Sequence, residues 1–215
     1  MISKQIKQFI KKTPLYPIIL KFQFIYSRKF LPPEMSPSAS YNKRLFILKM
    51  AKENKTPVFI ETRTYLGDTV SALRYSFREI YSIELDEKLA QRAKNIFKNY
   101  KHIHILQGDS AKILPAILEN IKKPTLFWLD AHYSGGITAK GEKENPILDE
   151  LQTILNQWVG GSVILIDDAR LFKKENNWPE IEDIKSLVVK IKPNLKLEVL
   201  ESLDIIKVSE VNTKK

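Results

Sequence analysis

From Pro57 onward the chain alternates between short apolar runs and longer stretches whose apolar residues recur at helical spacing. The short runs are PVFIE (57–61), EIYSIE (79–84), HIHILQ (102–107), TLFWLD (125–130) and SVILID (162–167), rich in β-branched and aromatic residues. Continuous apolar runs of this length suit strands covered on both faces, as in a parallel sheet. Between and after them the spacing predicts helices over 68–77, 86–100, 111–121, 147–158 and 179–191. In the second of these, Asp86 is placed to cap the N-terminus, and Leu89, Ala93, Ile96 and Phe97 form the buried stripe. The helix over 147–158 is expected to stop at Gly160–Gly161. Two last runs, KLEVLES and DIIKV, lie close enough to form a hairpin. Five βα units and a hairpin predict an α/β protein with a doubly wound, seven-stranded, mostly parallel sheet and one antiparallel strand near its edge.

Upstream the pattern changes. Tyr41–Asn54 reads as a helix with Phe46, Ile47 and Met50 on one face, and LPPEMSPSAS (31–40) as a loop, linker or lid. Residues 1–30 place Ile2, Ile6, Phe9 and Ile10 at helical spacing among lysines. Such a helix could lie on an anionic membrane surface or pack on the domain with its lysines solvated. The division this suggests is a basic helical extension and lid over 1–54 and a main domain over 55–215.

Charge reinforces that division. The chain carries a net +10, and Lys4, Lys7, Lys11, Lys12, Lys21, Arg28 and Lys29, with no acid among residues 1–30, supply seven of it. The remainder is nearly balanced, which argues against nucleic acid as a partner of the core. Cysteine is absent, which excludes disulfides and thiolate chemistry and fits a reducing compartment. No segment approaches the ~20 apolar residues of a membrane span, and prolines and lysines break any secretory h-region. The expectation is a cytoplasmic protein.

Chemistry is expected where the strands end. The first strand runs into ETRTYLGDT (61–69), a strand, turn and helix start of the kind that binds nucleotides, although only Gly67 supplies a glycine. Glu84 ends the second strand, 23 residues after Glu61, where an acid can accept hydrogen bonds from ribose hydroxyls. It could equally be a surface glutamate beside a turn. Asp109, in Gly108–Asp109–Ser110, could cap the next helix, accept from an adenine amino group, or both. Asp130 closes the fourth strand and Asp167–Asp168 the fifth. Three acids converging at one sheet edge could hold a divalent cation, or the pair could simply cap a loop. Hard oxygen ligands suit Mg²⁺, Ca²⁺ or Mn²⁺ rather than zinc. His132 lies two residues beyond Asp130, as a general base or as a neighbour. Arg170 and Lys173 could meet an anionic acceptor, and Trp178 could stack on a sugar, while Trp128 and Trp158 are expected in the core.

FIETRTYLGDT, SIELD, LQGDS, WLDAH and LIDDAR, in that order and spacing over about residues 57–208, resemble the class I S-adenosylmethionine-dependent methyltransferases. The likeness is to the small sugar and natural-product O-methyltransferase branch that includes macrocin-type enzymes. It implies a Rossmann-like fold and a donor site of Glu61, Arg63, Tyr65 and Gly67 in the first loop, Glu84 for the ribose, and Asp109 with Ser110 for the adenine. The spacing of Asp130, Asp167 and Asp168 is similar to the magnesium site of catechol-type enzymes, with Asp168 where those have asparagine. The resemblance therefore implies a cation-bound, sugar-like small-molecule acceptor, with Asp130 and His132 as catalytic residues; a homo-oligomer is left open. One departure stands out: Arg63 replaces a usual glycine. Its guanidinium either swings outward or pairs with the cofactor carboxylate, or else it blocks the pocket and marks a non-catalytic, repurposed member.

Overall fold

The structure, a computed structural model, describes residues 39–130, 146–173 and 178–211. Helix α1 (Ala39–Asn54) precedes strand β1 (Val58–Thr62) and helix α2 (Asp68–Leu73). There follow β2 (Glu79–Glu84), α3 (Glu87–Phe97), β3 (Ile103–Gln107), α4 (Ser110–Asn120), β4 (Thr125–Leu129), α5 (Ile147–Asn156) and β5 (Val163–Asp167). Helix α6 (Ile181–Ile191) leads into the hairpin of β6 (Leu195–Leu200) and β7 (Ile205–Glu210). The strands form one sheet in the order β3-β2-β1-β4-β5-β7-β6. Strands β1 to β5 pair in parallel, and β7 runs antiparallel to both β5 and β6. This is the expected α/β architecture, seven-stranded and mostly parallel, with its antiparallel strand one place in from the edge.

The continuous apolar runs have the expected cause. Every residue of β1 and β4 is buried, because helices cover both faces. On one face Val58, Ile60, Phe127, Leu129, Ile164 and Ile166 pack with Leu114 and Leu118 of α4, Leu151 and Ile154 of α5, and Ile184 and Val188 of α6. On the other, Phe59, Ile80, Leu126, Trp128 and Leu165 pack with Ile47 and Met50 of α1, Val70 and Leu73 of α2, and Ala93 and Phe97 of α3. The strand order reverses between β1 and β4, and the C-terminal ends of strands at such a reversal are where open α/β sheets bind ligands.

Several boundaries differ from those expected, among them helix α3, which ends at Phe97 rather than Tyr100, where the Tyr100 amide donates to the Phe97 carbonyl at 2.9 Å. Helix α2 ends at Leu73, where the Ser76 amide donates to the Leu73 carbonyl in a turn that sends Phe77 into the core. Helix α5 ends at Asn156, short of the glycines; Gly161, with φ 80°, serves the turn into β5 instead. Helix α6 begins at Ile181 because Glu180 and Asp183 close a capping box there. Among the described residues no helix is long and apolar enough to cross a membrane.

Candidate active site

Two groups of side chains meet at the C-terminal edge. The first surrounds the turn between β1 and α2. Three residues in five adopt positive φ: Arg63 (79°), Tyr65 (48°) and Gly67 (76°). The amides of Arg63 and Thr64 both donate to the Ile83 carbonyl, at 2.7 and 3.1 Å, which clamps the loop onto β2. Glu84 completes the clamp: one carboxylate oxygen accepts from the Tyr65 amide at 2.6 Å and the other from the Asp86 amide at 3.0 Å. At 2% exposure Glu84 is no surface glutamate. Its visible task is to hold the loop, and the remaining lone pairs are what a ribose could use. A Cβ on Gly67 would come within 3.0 Å of the Phe97 ring, so glycine is required there by both conformation and space.

Beneath the loop lie two buried acids. Ser82 donates to Glu61 at 2.6 Å, and the Thr64 and Ser82 hydroxyls stand 2.6 Å apart in the same buried chain of hydrogen bonds. Burial pushes the Glu61 carboxyl up to about 8, despite the Ser82 hydrogen bond, and the charges of Asp130 and Glu84 push the same way. Glu61 is therefore a neutral strut under the loop at pH 7. Glu150 of α5 is the second acid, and no motif in the sequence points to it. Ser110 donates to one of its oxygens and Thr62 to the other at 3.4 Å. Burial pushes it up to about 7, with Ser110, the nearby Arg63 charge and Thr62 opposing. A weaker signal exists: Ile147, Glu150, Leu151 and Ile154 share one helical stripe, and an acid on an apolar stripe needs partners.

Asp109 caps α4 by accepting from the Ala111 amide at 3.0 Å, so the capping role is real and leaves the adenine role open. Arg63 keeps the left-handed backbone that glycine would use. Its charge opposes the upward shift of Glu150, and among the described residues Nη1 is buried without a hydrogen-bond partner. The arginine thus brings a spare donor to the edge.

The second group is acidic. Carboxylate oxygens of Asp130, Asp167 and Asp168 all lie within 4.8 Å of one another, as the spacing anticipated. Asp168 adopts φ 56°, and its amide donates to Asp167 at 2.8 Å. Three hard oxygens this close fit a Mg²⁺, Ca²⁺ or Mn²⁺ donor set. They have company, however. Lys43 of α1 forms an ion pair with Asp167 and stands 3.5 Å from Asp168 and 3.9 Å from Asp204. Burial pushes Asp167 up to about 6, with the Lys43 hydrogen bond and charge opposing. Arg170 pairs with Asp168 at 2.9 Å and with Asp204, so its charge is committed within the protein. Trp178 packs edge-on against Phe172 at 5.2 Å and belongs to the margin of the core. Trp128 is buried, and Trp158 packs against the core while donating to Glu210 at 3.3 Å. His132 lies outside the described residues.

No protein-family model and no curated protein matches the chain. Solved structures do. The SAH-bound Podospora anserina methyltransferase PaMTH1 is 14% identical with a TM-score of 0.60, over 97% of this chain and 94% of that one. An O-methyltransferase from Bacillus cereus in complex with SAH gives 14% and 0.60 over 96% and 97%. The O-methyltransferase TomG from Streptomyces achromogenes, involved in tomaymycin synthesis and in complex with SAM, gives 14% and 0.56 over 89% and 88%. The fold is the Rossmann-like methyltransferase fold. The likeness extends over 89–97% of this chain and 88–97% of those three.

Proposed function

We propose that the chain is an S-adenosylmethionine-dependent O-methyltransferase acting on a hydroxyl of a small molecule, a sugar or glycan precursor, with a hard divalent cation at the acid cluster. The observation that carries this reading is the juxtaposition on one sheet edge of the loop Arg63–Gly67, clamped to Glu84, and the cluster Asp130, Asp167 and Asp168. The SAH and SAM bound to structures of the same fold support the donor half. The sugar preference rests on the motif resemblance, and a cytoplasmic setting on the broken apolar runs near the N-terminus, with which the absence of cysteine is in keeping.

Bound S-adenosylmethionine supplies a methyl group on a positively charged sulfur, and a bound divalent cation supplies Lewis-acid stabilisation of the acceptor oxygen. The chain's own residues do the rest. Gly67 lets the backbone approach closely, Glu84 meets the ribose, and Asp109 with Ser110 meets the adenine. Arg63 offers its spare donor to the cofactor's carboxylate, and Tyr65 lies beside it in the same loop. Asp130, Asp167 and Asp168 would hold the cation, which would bring the acceptor hydroxyl to the same edge as the donor loop. His132 would take the proton of the acceptor hydroxyl as the methyl group is transferred to its oxygen.

Calorimetric titration of the full chain with S-adenosylhomocysteine tests this. A Kd of about 10 µM or tighter is expected. A sample with a cooperative melting transition that gives no heat at millimolar ligand overturns the reading.

A further inference from the structure

We propose that Lys43 is the resident counter-ion of the acid cluster and that a divalent cation binds there only by displacing it, so that cation binding is coupled to the first turns of α1. The inference rests on the cation-dependent reading above and names the residue that sets the affinity.

Lys43 is buried, and its ammonium group reaches two of the three carboxylates a cation would need, those of Asp167 and Asp168. A hard divalent ion coordinates oxygens at about 2.0–2.6 Å, and the three carboxylate oxygens lie within 4.8 Å of one another. An ion seated among them therefore takes the place where the ammonium group makes its contacts with Asp167 and Asp168. The two cations also repel each other across a few ångströms of partly buried space. They exclude one another.

The geometry also shows where the ammonium goes. Asp204 stands 3.9 Å from it already. That carboxylate is fixed in place: the Arg170 amide donates to it at 2.8 Å, and the Ala169 amide donates to the Asp204 carbonyl at 3.1 Å. A four-carbon stem lets the ammonium group swing onto Asp204 without moving the helix as a body. The helix cannot move far in any case, because Ile47 and Met50 on the same face are anchored in the core. What changes is the hold on the turns before Ile47, which lose their tie to β5.

The test compares Mn²⁺ binding by the full-length wild type and Lys43→Met, using calorimetry and melting curves. Lys43→Met is expected to bind Mn²⁺ at least ten-fold more tightly, about 1.4 kcal/mol. Its metal-free melting temperature should fall below that of the wild type and rise further on adding Mn²⁺, since the ion replaces a missing counter-charge. Equal or weaker Mn²⁺ binding by the variant overturns the proposal. Should Lys43→Met not fold, Lys43→Gln reads the same difference. Amide hydrogen exchange of the wild type gives an independent measure: residues 43–46 should exchange faster with Mn²⁺ bound, and unchanged or slower exchange counts against displacement. Mn²⁺ binding by none of these proteins overturns both this inference and the cation in the proposed function, while S-adenosylhomocysteine binding would leave the donor half standing.

Discussion

Arg63 occupies a backbone conformation that costs an L-residue about 1–2 kcal/mol relative to glycine, yet the chain keeps it at the proposed donor site. Glycine would recover that strain but lose about 0.5–1 kcal/mol of chain entropy, so Arg63→Gly should leave the melting temperature unchanged or slightly raised. Any loss of ligand affinity then reports a lost contact rather than unfolding. We expect Arg63→Gly to weaken S-adenosylhomocysteine binding at least ten-fold, because the buried Nη1 donor has no other partner among the described residues. A gain in affinity would instead mark the arginine as an obstruction and favour a repurposed, non-catalytic protein. Glu61 makes a second prediction at this scale. Its folded carboxyl holds a proton up to about 8, whereas an exposed one releases it near 4.5. Between those values the folded state binds more protons, so stability falls as pH rises through the window, and Glu150 adds in the same sense up to about 7. Glu61→Gln keeps an oxygen for Ser82 and removes the titration. Melting curves from pH 5 to 8.5 should flatten in the variant by up to ~1.4 kcal/mol per pH unit. An unchanged slope would show that Glu61 does not carry the proton.

The elements differ in how plainly the sequence announces them, and the reason is local against distant information. Strands β1, β4 and β5 are legible because burial on both faces demands an unbroken apolar run, and a run can be seen within five residues. The acids that end them follow directly, which is why Asp130, Asp167 and Asp168 are foreseen together. Helix α1 is legible as a helix but not as a wall of the site. Lys43 reaches Asp167 across 124 positions of sequence, and Glu150 meets Thr62 across 88; no local pattern carries such a pairing. Each nevertheless leaves a trace. Lys43 precedes Ile47 and Met50 by four and seven residues, and Glu150 shares the stripe of Ile147 and Ile154, so both charges lie on faces that pack inward. A charged residue on a buried helical stripe is a signal that something across the fold compensates it. The helix ends depart by a few residues from the periodic pattern where a turn hydrogen bond or a capping box outweighs it, as at Ser76 and Glu180.

For the whole molecule the decisive quantity is where charge lies. Seven of the ten net positive charges fall within residues 1–30, which contain no acid, whereas the sheet edge proposed for chemistry gathers Glu61, Glu84, Asp130, Glu150, Asp167 and Asp168. We propose that residues 1–30, basic and with apolar residues at helical spacing, meet an anionic membrane surface rather than pack on the domain. Each cation near such a surface contributes about 1 kcal/mol, so seven suffice for measurable but salt-sensitive binding even if only some make contact. The full chain is expected to co-sediment with vesicles containing about 30% phosphatidylserine at low ionic strength and to be released by ~0.5 M NaCl, where screening acts within a few ångströms. Vesicles of phosphatidylcholine alone should not retain it. Deleting residues 1–30 should abolish retention while leaving S-adenosylhomocysteine affinity within about two-fold, since every residue assigned to the donor site lies beyond position 60. Equal retention of the truncated chain would place the attraction elsewhere, and salt-sensitive retention on RNA but not on vesicles would identify the basic segment as a nucleic-acid contact instead.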